Sequence, residues 1–246
     1  MMYKGITYGL FCLLCHASFA ATIKVVAEHL PPYQIKNNDR IDGFAIDVLN
    51  ELTLITGIKS DLEIVPWARA YHIASTEKNT LILSISRTDT REKFFHWIGT
   101  LSNEPVFVWA LTETPTQHIL SFSQLKNEPI AVSQESYIEQ SLTYQHFTKL
   151  ERLASSEQYI GMLFKKRAKF IISTETALRL QLNALDLSYD KVKKVLKADS
   201  FTENLSLAFN LQSDAELVKR YQEAYAILQA SGKITELKTK WHLDLE

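Results

Sequence analysis

The apolar positions of the chain follow two different spacings. Between residues 44 and 55, apolar side chains recur every three or four positions, which predicts a helix with one buried stripe that ends at Gly57. Pro66 is typical of a helix start and predicts a second helix from Trp67. Strands that alternate with such helices indicate an α/β fold with mainly parallel pairing. Short runs rich in β-branched residues predict these strands at 23–27, 61–65 and 80–84.

A second series of elements follows the polar stretch 112–118, which we interpret as a crossing between two lobes. Towards the C-terminus, Ser213 and Glu216 fit a capping box that opens a helix ending at Gly232, and a last helix covers 233–242. The other predicted elements are helices at 136–143 and 156–166 and strands at 129–132, 170–173, 191–196 and 205–210.

The first twenty residues have the pattern of a cleavable export signal. Lys4 precedes an apolar stretch at 6–14, and small residues at 18 and 20 predict cleavage after Ala20 and a periplasmic location. An uncleaved membrane anchor is the alternative interpretation. Both cysteines lie in this segment, and the large Leu14 before Cys15 disfavours a lipid anchor.

Composition excludes several classes of function. The chain has 246 residues, 46% of them apolar, with 27 basic and 28 acidic side chains, so no excess of positive charge favours a nucleic-acid partner. It contains no glycine-rich phosphate-binding motif, no H-E-x-x-H and no G-x-S-x-G, and its one C-x-x-C, from Cys12 to Cys15, lies in the predicted leader. We therefore expect no cofactor, no metal site and no catalytic residues.

Polar and aromatic side chains follow the predicted strands, at the sheet edge where open α/β folds collect ligands. They are Glu28 and Tyr33 after the first strand, Trp67 and Arg69 after the second, Ser84, Ser86 and Arg91 at or after the third, and Ser136 and Tyr137 at a helix start in the second series. Arg91 can grip a carboxylate with two parallel hydrogen bonds, and a helix start offers free N–H groups to an anion.

Each feature also has a purely structural interpretation. Residues 28–33 can be a rigid surface turn, Trp67 can be core, and Ser136 can simply cap its helix. Arg91 can form a salt bridge with Asp89 or Glu92.

The order of several motifs resembles the periplasmic solute-binding proteins of the polar amino-acid type, bacterial extracellular solute-binding protein family 3. The resemblance covers essentially the whole chain after the leader and implies a two-lobed, type II periplasmic-binding-protein-like α/β fold with two interlobe crossings. The first lobe would comprise 21–109 and 199–246, and the second 110–198. The motifs are Pro31-Pro32-Tyr33, Asp42-Gly43-Phe44, Trp67, Ser86-x-Thr88-x-x-Arg91-Glu92 and the segment from Gly232 to Trp241.

The resemblance also implies roles for individual residues. Arg91 would hold the α-carboxylate of an amino acid, helped by Ser86 and by the helix start at Ser136. Trp67 would pack on the ligand side chain. Leu30 occupies the place of a second aromatic ring that the family usually has.

Two departures concern the charge of the ligand. Thr174 stands where an acidic residue normally binds the α-ammonium group, and Glu175 follows one position later. Whether Glu175 substitutes is left open by the sequence. Arg69 and Arg87 are additional cations near the predicted crevice, which would suit an anionic or dicarboxylate ligand.

We therefore expect a monomer that captures a small polar or anionic solute, an amino acid or related carboxylate, for an ABC permease or a membrane receptor. An enzyme of the dehydratase type on the same fold is the alternative, with Glu175 and either His29 or Glu28 as the acid and base. A sensor accessory that has lost ligand binding is a third possibility.

Overall fold

The computed structural model describes residues 22–38 and 40–243. The predicted export signal, with its two cysteines, lies outside these residues, so the prediction of cleavage stays a prediction. Within the described ranges, no helix is both long enough and apolar enough to cross a membrane.

The strands of the described chain are β1 (Thr22–Ala27), β2 (Ile35–Asn37), β3 (Arg40–Asp42), β4 (Lys59–Ile64), β5 (Thr80–Ser86), β6 (Phe95–Leu111), β7 (Ile130–Ser133), β8 (Leu150–Leu153), β9 (Phe170–Thr174) and β10 (Val192–Asn210). Eight of them form one mixed sheet in the order β4-β1-β5-β10-β6-β9-β7-β8. The pairings at the two ends of the sheet are parallel, as the alternating pattern predicts, whereas the three pairings that involve β6 and β10 in the middle are antiparallel. A separate hairpin joins β2 to β3.

The described chain contains seven α-helices. They are α1 (Phe44–Thr56), α2 (Trp67–Thr76), α3 (Tyr137–Tyr144), α4 (Ser156–Phe164), α5 (Glu175–Ala184), α6 (Ala215–Ala230) and α7 (Lys233–Lys240). Helix α1 ends as predicted, because Gly57 adopts the left-handed conformation that closes a helix. The capping-box prediction is wrong by one residue. Asp214 caps α6 by accepting from the amide of Leu217, while the Ser213 hydroxyl accepts from the amide of Asn79.

The buried apolar residues of the described chain form four clusters, which fall into two sets of two clusters that share no member. The first set includes Leu101 and Leu205 and packs against α1 and α6, while the second includes Val106 and Ala198 and packs around β7 and β9. Strands β6 and β10, of 17 and 19 residues, run through both sets and carry the chain from one to the other.

The structure moves the crossing from its predicted position. The stretch 112–118 follows residues 106–111, which already pack in the second set, so it lies beyond the passage. The passage falls inside β6, between Leu101 and Val106, and inside β10, between Phe201 and Leu205. Two long paired strands therefore connect the halves.

Candidate ligand-binding site

A cavity of about 80 Å³ lies between the two sets of core residues. Its polar lining consists of Glu28, Ser84 and Ser86 from the first half, and Ser133, Ser136, Tyr137, Tyr159, Ser173 and Gln181 from the second. Six of the predicted site residues line it: Glu28, Trp67, Ser84, Ser86, Ser136 and Tyr137.

Ser84 reaches the cavity through an irregularity of β5. Its φ of 54° is left-handed, and the pairing of β5 with β10 shifts register at this point. Such a bulge turns a side chain that would otherwise follow the regular alternation of the strand. The buried amide of Gln34 donates a hydrogen bond to the Ser84 hydroxyl, which fixes its position. Backbone strain held by a buried contact is typical of functional sites.

Trp67 forms part of the cavity wall and also joins the two halves. As the first residue of α2 it is buried, and its Nε1 donates to the backbone oxygen of Glu135 at 2.9 Å. Glu135 itself has a left-handed φ of 60°. Trp67 is therefore both a core residue and a ligand-site residue, because its ring packs in the core of the first half and also borders the cavity.

Arg91 lies behind this wall and does not line the cavity. Its guanidinium is 1% exposed and stacks on two rings, 5.3 Å from the centroid of Trp67 and 4.9 Å from that of Tyr71. It donates to the backbone oxygen of Ser86 at 3.1 Å and to that of Glu135 at 3.4 Å. Burial lowers the pKa of Arg91, and Tyr71 partly offsets that effect. No salt bridge with an acidic side chain involves it among the described residues.

Two helices of the second half begin at the cavity. Ser136 caps α3 by accepting from the amide of Glu139, and Thr174 caps α5 by accepting from the amide of Ala177. Residues 136–138 and Ala177 line the cavity, so the first turns of both helices face it. The first turn of a helix carries amide groups without helical partners and a partial positive charge, which together favour a bound anion.

A second polar group in the cavity wall comes from α4 and α5. The Tyr159 hydroxyl donates to Oε1 of Gln181 at 2.9 Å, and both residues line the cavity. No motif in the sequence indicates these residues or Ser173. One signal was available: Leu178, Gln181 and Leu182 share the buried face of α5 by their spacing, so Gln181 stands as a polar residue in an apolar stripe.

Glu175 lies outside the cavity and is held by neighbours of its own. Its carboxylate accepts from Lys194 at 2.5 Å, Arg179 at 2.7 Å and Tyr189 at 2.9 Å. Chiefly through Lys194, these bonds lower the pKa of Glu175 to about 2. Tyr189 is partly buried, and this burial together with its bond to Glu175 raises the pKa of Tyr189 to about 12. The position of Glu175 therefore does not support the predicted contact with a ligand ammonium group.

Three other predicted residues also lie away from the cavity. Tyr33 is core and donates from its hydroxyl to Glu104 at 2.7 Å. Arg69 points outward and pairs with Glu63 at 3.3 Å. Thr174 is buried as the cap of α5. Arg87, the further cation, pairs with Glu92 at 2.6 Å on the surface.

Residues 23–244 match the family described as bacterial extracellular solute-binding proteins, family 3. The chain belongs to this family. The match spans both halves of the molecule and the whole lining of the cavity, which confirms the resemblance and the two-lobed α/β fold that it implies. We therefore refer to the two halves as lobes. Members of the family are mostly binding proteins. The family is described as extracellular, which agrees with the location that the leader predicts.

Solved structures support the same fold at low sequence identity. A histidine kinase sensor domain with similarity to periplasmic binding proteins has a TM-score of 0.81 and 16% identity, with 89% of this chain and 95% of that chain covered. The substrate-binding protein of an amino acid ABC transporter gives 0.77 and 20%, with 90% and 99% covered.

A third structure is an ancestral amino-acid-binding protein that is a precursor of cyclohexadienyl dehydratase. It gives a TM-score of 0.74 and 18% identity, with 90% of this chain and 95% of that chain covered. No curated protein sequence matches this family 3 member.

Proposed function

We propose that this family 3 protein captures a small zwitterionic solute, an amino acid or a close relative, between its two lobes and releases it unchanged. The observation that carries the proposal is the cavity itself, which both lobes line with hydroxyl groups, helix starts and one carboxylate. Burial of a polar solute needs such matched groups, because each unpaired polar atom costs free energy.

The charge of the lining favours a zwitterion. Glu28 contributes one negative charge, and the starts of α3 and α5 contribute about half a positive charge each. In the described part of the chain, no lysine or arginine lines the cavity. A molecule with one positive and one negative group matches this balance, whereas a dicarboxylate would carry excess negative charge. The extra cations Arg69 and Arg87, which suggested an anion, are paired elsewhere.

Each end of the solute then has a partner. The carboxylate binds at the start of α3, where Ser136 and Tyr137 line the cavity, and the ammonium group faces Glu28. Trp67 packs on the solute, with Ser84 and Ser86 beside it. In this arrangement Arg91 does not clamp the carboxylate.

Arg91 instead supports the closed form from behind. Together with the indole of Trp67, it donates to the Glu135 backbone oxygen of the other lobe. His29 adds a third contact between lobes, 3.6 Å from the carboxylate of Glu157. These contacts would form as the lobes close around the solute.

The site favours binding over catalysis. Glu175, one half of the predicted acid–base pair, keeps its charge at neutral pH because its pKa is about 2, and it lies outside the cavity. The Nδ1 of His29 accepts from the amide of Lys36. Among the described residues, Glu28 is therefore the one carboxylate that a solute in the cavity can contact.

The neighbours suggest where the bound solute goes. One is the binding component of an amino acid ABC transporter and another is the sensor domain of a histidine kinase. We propose that the protein acts in the periplasm, as a monomer, and presents its closed form to a membrane permease or receptor.

A thermal-shift screen of residues 21–246 tests the proposal with amino acids, dicarboxylates and polyols. A solute at 100 times its dissociation constant stabilises a protein by about 2.7 kcal/mol, so a true ligand gives a clear shift. We expect shifts with small amino acids and none with dicarboxylates. Glu28→Gln should abolish the shift, while Glu63→Gln on the outer surface should keep it. A screen in which only dicarboxylates, or no solutes at all, stabilise the protein contradicts the proposal.

A further inference from the structure

The cavity wall contains a buried amide that lacks one partner. Gln181 is 4% exposed, and its Nε2 has no hydrogen-bond partner among the residues that the structure describes. The Ser133 hydroxyl, which also lines the cavity, is likewise buried and has no hydrogen-bond partner among the described residues. Buried polar atoms are nearly always hydrogen-bonded, so each unpaired one needs an explanation.

The other end of the Gln181 amide is fixed. Tyr159 donates to Oε1 of Gln181, which sets the plane of the amide and leaves its second polar atom available. Because Tyr159 lies on α4 and Gln181 on α5, the pair is held by two packed helices of the same lobe. A fixed, buried polar group selects its partner strongly, because an analogue without a matching group leaves it unpaired.

Folding alone does not account for a glutamine at this position. Leu178 and Leu182 occupy the same helix face and are fully buried, so leucine or methionine would fit the pattern of the stripe. Glutamine there loses hydration without a full set of hydrogen bonds. A bound solute that supplies the missing partner removes this penalty.

We infer that Gln181 determines specificity by hydrogen bonding an uncharged hydroxyl or carboxamide group on the side chain of the solute. This inference rests on the proposed function. Hydroxyls and carboxamides both donate and accept, so they satisfy the amide of Gln181 whichever way it is turned. Ser133 is the second group within the wall that can bond such a solute.

Calorimetric titration with two pairs of amino acids tests the inference. L-threonine and L-valine have nearly the same shape, as L-serine and L-alanine nearly do, but only one of each pair carries a hydroxyl. A site built around a hydrogen bond rejects the analogue that lacks it, so the wild type should bind threonine at least tenfold more tightly than valine. Gln181→Met should remove the preference, mainly by weakening the hydroxyl-bearing solute.

Two further variants complete the experiment. Gln229→Met makes the same change on the exposed face of α6 and should leave the preference intact. Tyr159→Phe frees the amide and should reduce the preference even if Gln181→Met fails to fold. Binding without preference in the wild type, or an unchanged preference in both cavity variants, overturns the inference alone. If none of the four amino acids binds the wild type, the inference fails, and the proposed function fails with it only if no other amino acid stabilises the wild type in the thermal-shift screen.

Discussion

Replacement of Arg91 by methionine separates two roles that a buried guanidinium can play. Methionine keeps an unbranched, flexible side chain but removes the charge and all the donors. If Arg91 supports the closed lobes, as its placement behind Trp67 suggests, the variant weakens every ligand by the same factor. If Arg91 binds the ligand carboxylate, only carboxylate-bearing solutes lose affinity.

The magnitude follows from the contacts of Arg91. Its bond across the lobes to Glu135 is 3.4 Å long, so we assign it about 1 kcal/mol, or about fivefold in affinity. Within the first lobe, the variant loses the hydrogen bond to Ser86. It also loses the stacking of the guanidinium on two rings, and each of these two ring contacts is worth about 2 kcal/mol when desolvated. The relieved burial of a cation offsets several kcal/mol of this loss. We expect the free energy of unfolding to fall by about 1–3 kcal/mol.

The assay compares L-threonine with L-threoninamide, which lacks the carboxylate. Calorimetry on the wild type and on Arg91→Met should give the same loss, of about fivefold, for both ligands, and Arg69→Met on the surface should give none. A loss above about 100-fold for threonine with unchanged binding of threoninamide would refute the reasoning, because removal of one partner from a buried charge pair costs about 2–5 kcal/mol.

Three further predictions concern single contacts. Trp67→Phe removes the 2.9 Å bond to Glu135 and should weaken ligand binding about fivefold by calorimetry, since that bond joins the lobes; unchanged affinity would contradict this role. Glu175→Gln should lower the free energy of urea unfolding at pH 7 by about 1–2 kcal/mol, after allowance for solvent screening. Because its folded pKa of about 2 lies below the unfolded value, the contribution is present above about pH 4.5 and lost as the pH falls towards 2, where wild type and variant should converge; a difference that persists at pH 2 would contradict the assignment. Gly43→Ala should lower the melting temperature markedly, because its Cβ would lie 2.3 Å from the Tyr33 backbone oxygen at a φ of 132°; a shift of less than about 2 °C would show that the chain relaxes there.

The local elements could be predicted because their causes are local. The apolar spacing of α1 and the left-handed glycine at its end both lie within about fourteen residues. The long strands β6 and β10 could not, because each serves one core with its first part and another with its second. The pattern of buried positions therefore changes along each strand. The sequence prediction instead placed the crossing at 112–118, where apolar residues give way to polar ones.

The candidate site was predictable to the extent that it depends on strand ends and helix starts. Ser84, Ser86 and Ser136 line the cavity for that reason. The position of Arg91 depends on the ring of Tyr71, which belongs to none of the sequence motifs. Tyr71 stands four residues after Trp67 on α2, so both rings share one helix face and enclose the guanidinium.

The environment of Glu175 depends on residues far along the chain. Lys194 approaches it from β10, which antiparallel pairing brings beside β6, and no spacing in the sequence indicates this contact. The Tyr159–Gln181 pair likewise joins two helices whose relative position is set by packing. Contacts of this kind follow from the fold and are visible only in three dimensions.

The central claim is that a small solute occupies the cavity between the lobes, and filling that cavity tests it most directly. Ala177 lines the cavity at the first turn of α5, whereas Ala184 is exposed at the end of the same helix. Calorimetric titration with the best solute from the thermal screen should show at least a 100-fold loss of affinity for Ala177→Leu and none for Ala184→Leu, with both variants folded. Full affinity in a folded Ala177→Leu protein would contradict the account.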